Sequence, residues 1–172
     1  MIVFIPCVKG KPVPKEVIDS LKNQSEKVDI RFVEQLEGIP SEFVEKMRCM
    51  RRNRQRCIEL ARKVNEPFVA LNNSDIVHLF PENLSDAVVF LKANSDWGAV
   101  AFSSRSTHPI EREHCHVMDS SIVIRKEALD IIDYNKERSP GDCSCTVIGE
   151  CLQPKYRYGI FDDVIRIKDL KL

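Results

Sequence analysis

Phe68-Val69-Ala70-Leu71-Asn72-Asn73-Ser74-Asp75 is the stretch that decides the fold. Its apolar run is too short for a helix and reads as a strand buried on both faces, as in an α/β sheet. A polar tip follows at once. In open parallel sheets ligands bind beyond the carboxyl ends of the strands, so this tip is the first place to look for chemistry. Alternate residues of an extended tip point the same way. That sets the Asn73 amide oxygen beside the Asp75 carboxylate, a pair of oxygens suited to Mg²⁺ or Mn²⁺ bridging to substrate phosphates. An Asx turn that merely ends the strand accounts for the same residues, and the triplet alone leaves both readings open. Asn72-Asn73-Ser74 also fits a glycosylation sequon, which is without content in a cytosolic protein.

Working outward, Ile2-Val3-Phe4-Ile5 is a second short apolar run, ended by Pro6. Residues 9–14 carry the Gly and Pro of a loop. Pro14 can open a helix in which Val17, Ile18 and Leu21 recur at helical spacing. Residues 28–33 alternate apolar and charged, the pattern of a strand. Strand, helix, strand in that order implies a right-handed crossover and a parallel sheet. A long helix is expected over 41–64, a helix opening at Pro81, strands over 98–102 and 120–124, and a short helix over 126–133. A loop should follow over 134–142, then a helix over 145–152 and a strand-like segment over 156–166. The expected architecture is a three-layer α/β/α domain with a mainly parallel central sheet, one domain over residues 1–172.

The length of 172 residues and a 43% hydrophobic content suit one domain with one core. Charge is balanced at 26 basic against 26 acidic side chains, which argues against a general nucleic-acid binder. The opening apolar run is too short for a signal-peptide core, and no stretch approaches the ~18 apolar residues of a membrane span. A cytoplasmic location is the expectation. Seven cysteines, an odd number without a leader, read mainly as free thiols in the core.

Further features could carry chemistry. Arg48, Arg51, Arg52, Arg54 and Arg56 offer bidentate phosphate contacts, although a solvated helix face would look the same. His114-Cys115-His116, Cys143-Ser144-Cys145 and Cys151 offer soft zinc ligands, but without the spacing of a zinc ribbon or finger. One of these histidines could equally add a ligand to a cation at Asp75. Asp142 precedes an expected helix: it reads as an N-cap or as a general base at the mouth of a site.

Taken in order, these pieces resemble the nucleotide-binding core of GT-A-type glycosyltransferases, and are similar to the large inverting family 2 group. The resemblance runs over roughly residues 2–165. It is carried by Ile2-Val3-Phe4-Ile5-Pro6, by Ser20-Leu21-Lys22-Asn23-Gln24 for the family's Ser-Leu-x-x-Gln, and by Val33-Glu34 at the end of the second strand. Arg54-Gln55-Arg56-Cys57-Ile58-Glu59-Leu60-Ala61 fits the family's helix register, with Gln55 for Asn and Cys57 for Gly. Asn73-Ser74-Asp75 fits the family's Asp-x-Asp, with Asn for the first Asp. Residues 120–129 resemble the strand and helix of the acceptor half, and Gly141-Asp142 stands where the family has Glu-Asp.

The resemblance implies a nucleotide-diphosphate sugar donor and an acceptor it does not name. It places Pro6, Glu34, Arg54 and Asn73 at the nucleotide. Asn73 and Asp75 would be at Mg²⁺ or Mn²⁺, and Asp142 would be the base of an inverting transfer. The departures at Gln55, Asn73 and the missing Glu motivate a second possibility, a nucleotide-binding domain that keeps the fold without the chemistry. A nucleotidyltransferase is a third, since Pro6-Cys7-Val8-Lys9-Gly10-Lys11 is a faint version of its Gly-rich basic loop.

Overall fold

The computed structural model of the chain describes residues 1–35, 40–104, 119–136, 139 and 142–170. The elements are β1 (Ile2–Val8), α1 (Lys15–Lys22), β2 (Asp29–Gln35), α2 (Phe43–Arg62), β3 (Phe68–Asn72), β4 (Ile76–His78) and α3 (Asn83–Ala93). They continue with β5 (Trp97–Ser104), β6 (Ser121–Arg125), a 3₁₀ helix (Lys126–Ile131), α4 (Ser144–Leu152) and β7 (Arg157–Asp169). The strands form one sheet in the order β2-β1-β3-β6-β5-β7-β4.

The continuous apolar runs are explained by burial on both faces. Along β1, Ile2 and Phe4 face one core while Val3 and Ile5 face another. The same alternation runs through β3, β5 and β6: Val69, Leu71, Ala99, Ala101, Ile122 and Ile124 lie on one side, and Phe68, Ala70, Val100, Phe102 and Val123 on the other. The first face is covered by α2, the 3₁₀ helix and α4 through Cys57, Ile58, Ala61, Leu129, Val147 and Ile148. The second is covered by α1 and α3 through Val17, Leu21, Leu84, Ala87, Val88 and Leu91. These are the three layers that the strand–helix alternation predicts. The loop after β1 is a tight turn closed by the Lys11 N–H on the Val8 carbonyl at 3.0 Å, with Gly10 at φ 75 supplying the left-handed residue.

The expected mainly parallel sheet is corrected to a mixed one. β1 runs parallel to both β2 and β3, and β5 parallel to β7, but β6 is antiparallel to β3 and β5, and β4 antiparallel to β7. The reason is physical. A strand buried on both faces carries no direction in its hydrophobic pattern, so β6 reads the same either way round. The short β4 follows β3 through a turn, and a turn reverses the chain.

The reversal of β6 matters for the site. Asn72 pairs with Ser121, so the amino end of β6 lies at the same sheet edge as the carboxyl ends of β1, β2 and β3. Residues just before β6 are therefore delivered to that edge.

Candidate functional site

Asn73-Ser74-Asp75 is half-buried at that edge, but not as an extended tip. The Ile76 N–H donates to the Asn73 carbonyl at 3.2 Å and closes a turn. The expected alternation of side chains is thus replaced by turn geometry, because Asn and Ser at these positions favour turning over extension. The Asn73 N–H donates to the Ser120 carbonyl at 2.8 Å and ties the turn to the start of β6.

Arg54 comes in from α2. It is 3% exposed, in the same helical stripe as Arg51, Ile58 and Ala61, which are also buried. The spacing of three and four residues between these positions was the signal that separates the inward arginines from the rest. Arg52 is exposed, Arg48 pairs with Glu45 at 2.7 Å, and Arg56 donates to the Glu34 carbonyl at 2.7 Å. The Arg54 Nη2 donates to the Asn73 Oδ1 at 2.6 Å, and its Nε lies 3.0 Å from the Asp119 Oδ2. Its Nη1 is buried and, among the described residues, has no hydrogen-bond partner.

Asp119 is the residue sequence reasoning missed. It precedes β6, so a search confined to carboxyl ends of strands passes over it. It is buried, and besides Arg54 it accepts from the Tyr134 hydroxyl at 3.3 Å and the Ser144 Oγ at 3.1 Å. Burial of the Arg54 guanidinium is the largest influence and works against its charge, but the Asp119 carboxylate together with Tyr134, Cys57 and Tyr158 holds Arg54 above the usual arginine value. Burial, then the same carboxylate, pushes the Tyr134 and Tyr158 phenols up, so both stay neutral donors.

The two departures in the α2 motif serve packing. The Gln55 Oε1 accepts the Tyr134 N–H at 2.9 Å, and Cys57 is fully buried, its thiol pushed up to about 12 by burial. At the neighbouring strand ends, Pro6 lies beside Val33 and Cys7 beside Glu34. Glu34 is exposed there, and burial followed by the Glu34 charge pushes the Cys7 thiol up.

Asp142 is half-buried ahead of α4, its Oδ2 accepting the Ser139 N–H at 2.9 Å. It is not the helix cap: Cys143 is, its Sγ accepting the Thr146 N–H at 3.4 Å. Asp142 lies two residues before Ser144, whose hydroxyl reaches Asp119.

Cys143 and Cys145 form a disulfide, so the expectation of mainly free thiols holds for Cys7, Cys49, Cys57 and Cys151 among the described residues. His114, Cys115 and His116 lie outside the described residues. No group of three or more His, Cys, Asp or Glu able to hold a metal occurs among the described residues. For Mg²⁺ or Mn²⁺ the donor chemistry leaves Asp75, a carboxylate on the turn; Mg²⁺ is commonly held by one or two carboxylates plus substrate phosphates. The Asn73 oxygen already accepts from Arg54, so a cation contact there would have to share that oxygen with the guanidinium. No helix among the described residues is long and apolar enough to cross a membrane.

No protein-family model matches the chain, and no curated protein matches it. Solved structures do. S. aureus TarS (residues 1–349) matches with a TM-score of 0.69 at 14% identity, over 98% of this chain and 59% of that one. The mannosyltransferase PcManGT of Pyrobaculum calidifontis, in complex with GDP-Man and Mn²⁺, matches with a TM-score of 0.67 at 15% identity, over 98% and 56%. A glycosyltransferase involved in the glycosylation of the major capsid of PBCV-1 matches with a TM-score of 0.60 at 12% identity, over 98% and 92%. The chain spans under three fifths of the first two. At these identities the likeness is one of architecture, and it covers nearly the whole chain: this is the fold of the GT-A glycosyltransferases.

Proposed function

We propose that the chain is the nucleotide-sugar core of a glycosyltransferase, transferring a sugar from a nucleotide-diphosphate sugar to an acceptor hydroxyl with inversion. The observation that carries this is Arg54. It is a buried cation fixed on two sides by Asp119 and Asn73, beside the strand ends where open α/β sheets bind ligands, and its third nitrogen has no hydrogen-bond partner among the described residues. A buried N–H without a partner costs about 1–3 kcal/mol. An anionic ligand removes that cost, and a diphosphate supplies the oxygens. Two structures of this fold support the donor class: PcManGT is in complex with GDP-Man and Mn²⁺, and TarS with UDP-GlcNAc.

In this reading Arg54 orients the diphosphate through Nη1. Glu34, exposed beside Cys7 at the end of β2, accepts from the nucleoside hydroxyls, with Pro6 and Asn73 lining the same edge. Asp75 would hold Mg²⁺ or Mn²⁺, which when bound stabilises charge on the departing diphosphate. Asp142 takes the proton of the acceptor hydroxyl as that oxygen bonds to the anomeric carbon. The bond from that carbon to the diphosphate breaks, with its electron pair leaving on the nucleotide.

The test is calorimetric titration of UDP and GDP with Mn²⁺, against uridine and guanosine, followed by turnover over a donor panel. Arg54→Lys keeps the charge but loses the fork that serves Asp119, Asn73 and a ligand together. It should weaken diphosphate binding about 10–100-fold, the equivalent of roughly one charge-assisted hydrogen bond. Equal affinity of the two proteins, or no preference for diphosphate over nucleoside, refutes the proposal. The engagement of the Asn73 oxygen by Arg54 favours one second reading, a domain that binds the nucleotide without transfer; binding with no turnover of any donor would establish it.

A further inference from the structure

Behind the Asn73–Asp75 turn lies a buried polar chain that the proposed chemistry does not use. Asn72, Asn83 and Ser121 are fully buried, and His78 is 5% exposed. His78 packs edge-on against Phe102, with ring centroids 5.1 Å apart. Polar groups shut in among apolar ones must satisfy one another, and here only one arrangement does so.

The order of donors follows from Asn83. Its Nδ2 carries two hydrogens and accepts nothing. One goes to the Arg166 carbonyl at 2.7 Å and the other to the His78 Nδ1 at 3.1 Å. The Asn83 Oδ1 meanwhile accepts from the Arg166 Nη1 at 3.2 Å, which fixes the orientation of that amide. The His78 Nδ1 is therefore an acceptor, and the proton of the neutral ring sits on Nε2. Nε2 lies 3.1 Å from the Asn72 Oδ1 and 3.2 Å from the Ser121 Oγ. With its oxygen turned to the ring, Asn72 has both amide hydrogens left for the turn. They go to the Asn73 and Ile76 carbonyls, each at 3.0 Å. A reversed Asn72 amide would set oxygen against two carbonyls.

We infer that His78 is a positioning residue: its Nε2–H orients the Asn72 amide, which ties both ends of the Asn73–Ile76 turn and presets the site before a ligand arrives. His78 touches no ligand in this arrangement. The clamp stands on geometry alone; what the turn then holds rests on the function proposed above.

Two measurements test it. In the wild-type protein, long-range proton–nitrogen NMR should report the Nε2–H tautomer for His78; an Nδ1–H tautomer overturns the inference. Hydrogen exchange then compares the Ile76 amide, which closes the turn, with the Val123 amide in the centre of the sheet, for His78→Leu and His78→Gln. Exchange at Ile76 should quicken about tenfold relative to Val123 in His78→Leu, the equivalent of one hydrogen bond. His78→Gln, which restores a donor towards Asn72, should return it to within about threefold of wild type. Equal acceleration at both amides, or no rescue by glutamine, shows a merely structural side chain and overturns the inference. If His78→Leu does not fold, the wild-type tautomer and the Ile76-to-Val123 ratio in His78→Gln still decide. UDP or GDP affinity with Mn²⁺ is read on the same proteins. A wild type that binds neither nucleotide refutes the glycosyltransferase reading, while a selective response at Ile76 still supports the clamp.

Discussion

Acid should find this protein through one side chain. Burial pushes the His78 imidazole from its ordinary 6.5 down to about 3. The hydrogen bonds explain why charging it is unfavourable: a proton on Nδ1 would face the Asn83 amide hydrogens, which are donors themselves. In the unfolded chain the ring takes up its proton as pH falls through 6.5; in the fold it stays neutral to about 3. Between those values the unfolded state binds more protons, so stability rises with pH in that window. The contribution is complete above the ordinary value and is lost progressively as pH falls towards 3. Lowering pH from 7 to 5 should cost about 2 kcal/mol through this residue. That figure is insensitive to the depth of the depression, because at pH 5 the folded ring is neutral whether its own value is about 2 or about 4. The assay is urea unfolding of wild type and His78→Gln at both pH values. His108, His114 and His116 are common to both proteins and cancel in the difference. Wild type should lose about 2 kcal/mol more than the variant between pH 7 and pH 5. Parallel losses would refute the claim that His78 is held neutral.

Asp119→Asn leaves the Arg54 guanidinium buried without its counter-charge and should cost about 3–5 kcal/mol in urea unfolding; the double variant with Arg54→Met should recover much of it. A loss under about 1 kcal/mol would mean that the pair is not sealed from water. Asp142→Asn should leave nucleotide affinity unchanged and lower the transfer rate about 10²–10⁴-fold, measured as sugar transferred per enzyme. An unchanged rate removes Asp142 as the base. Asn73→Asp should destabilise the metal-free protein by about 1 kcal/mol and bind Mn²⁺ more tightly, read by unfolding with and without the ion. Loss of stability that Mn²⁺ does not restore would count against a cation at this turn.

How much of this was legible in the sequence depends on what each residue's signal encodes. The existence of β1, β3, β5 and β6 was legible because burial on both faces writes a continuous apolar run. Their directions were not, because that run is symmetrical. Asp119 was lost with the direction of β6, and β4 was lost because it is only three residues long. Arg54 was readable from the family resemblance, and the stripe it shares with Ile58 and Ala61 on α2 would have marked it as well. Its two partners, 19 residues away at Asn73 and at the far end of an undescribed segment at Asp119, were not. His78 gave no signal. Its tautomer depends on Asn83 and Asn72 meeting it across three elements, and local patterns do not record such meetings.

The charge balance around Arg54 gives a reason for the amide at position 73. Arg54 brings one positive charge to the edge, and Asp119, nearly as buried, cancels it. Asn73 adds an acceptor for the Nη2 hydrogen without adding charge. A carboxylate in its place would compete with Asp119 for one guanidinium and leave a net negative charge in a half-buried turn, a state favourable only with a cation present. With asparagine the Arg54–Asp119–Asn73 group is neutral and the arginine is held in place whether or not metal is bound. In the proposed function, recognition of a diphosphate would then fall more heavily on the guanidinium and less on an ion. Of the turn's two metal-ligand candidates, only Asp75 keeps a formal charge. A chain built this way should bind nucleotide diphosphates with a weaker dependence on Mn²⁺ than its own Asn73→Asp variant, and that comparison places the electrostatic work on Arg54 or on the ion.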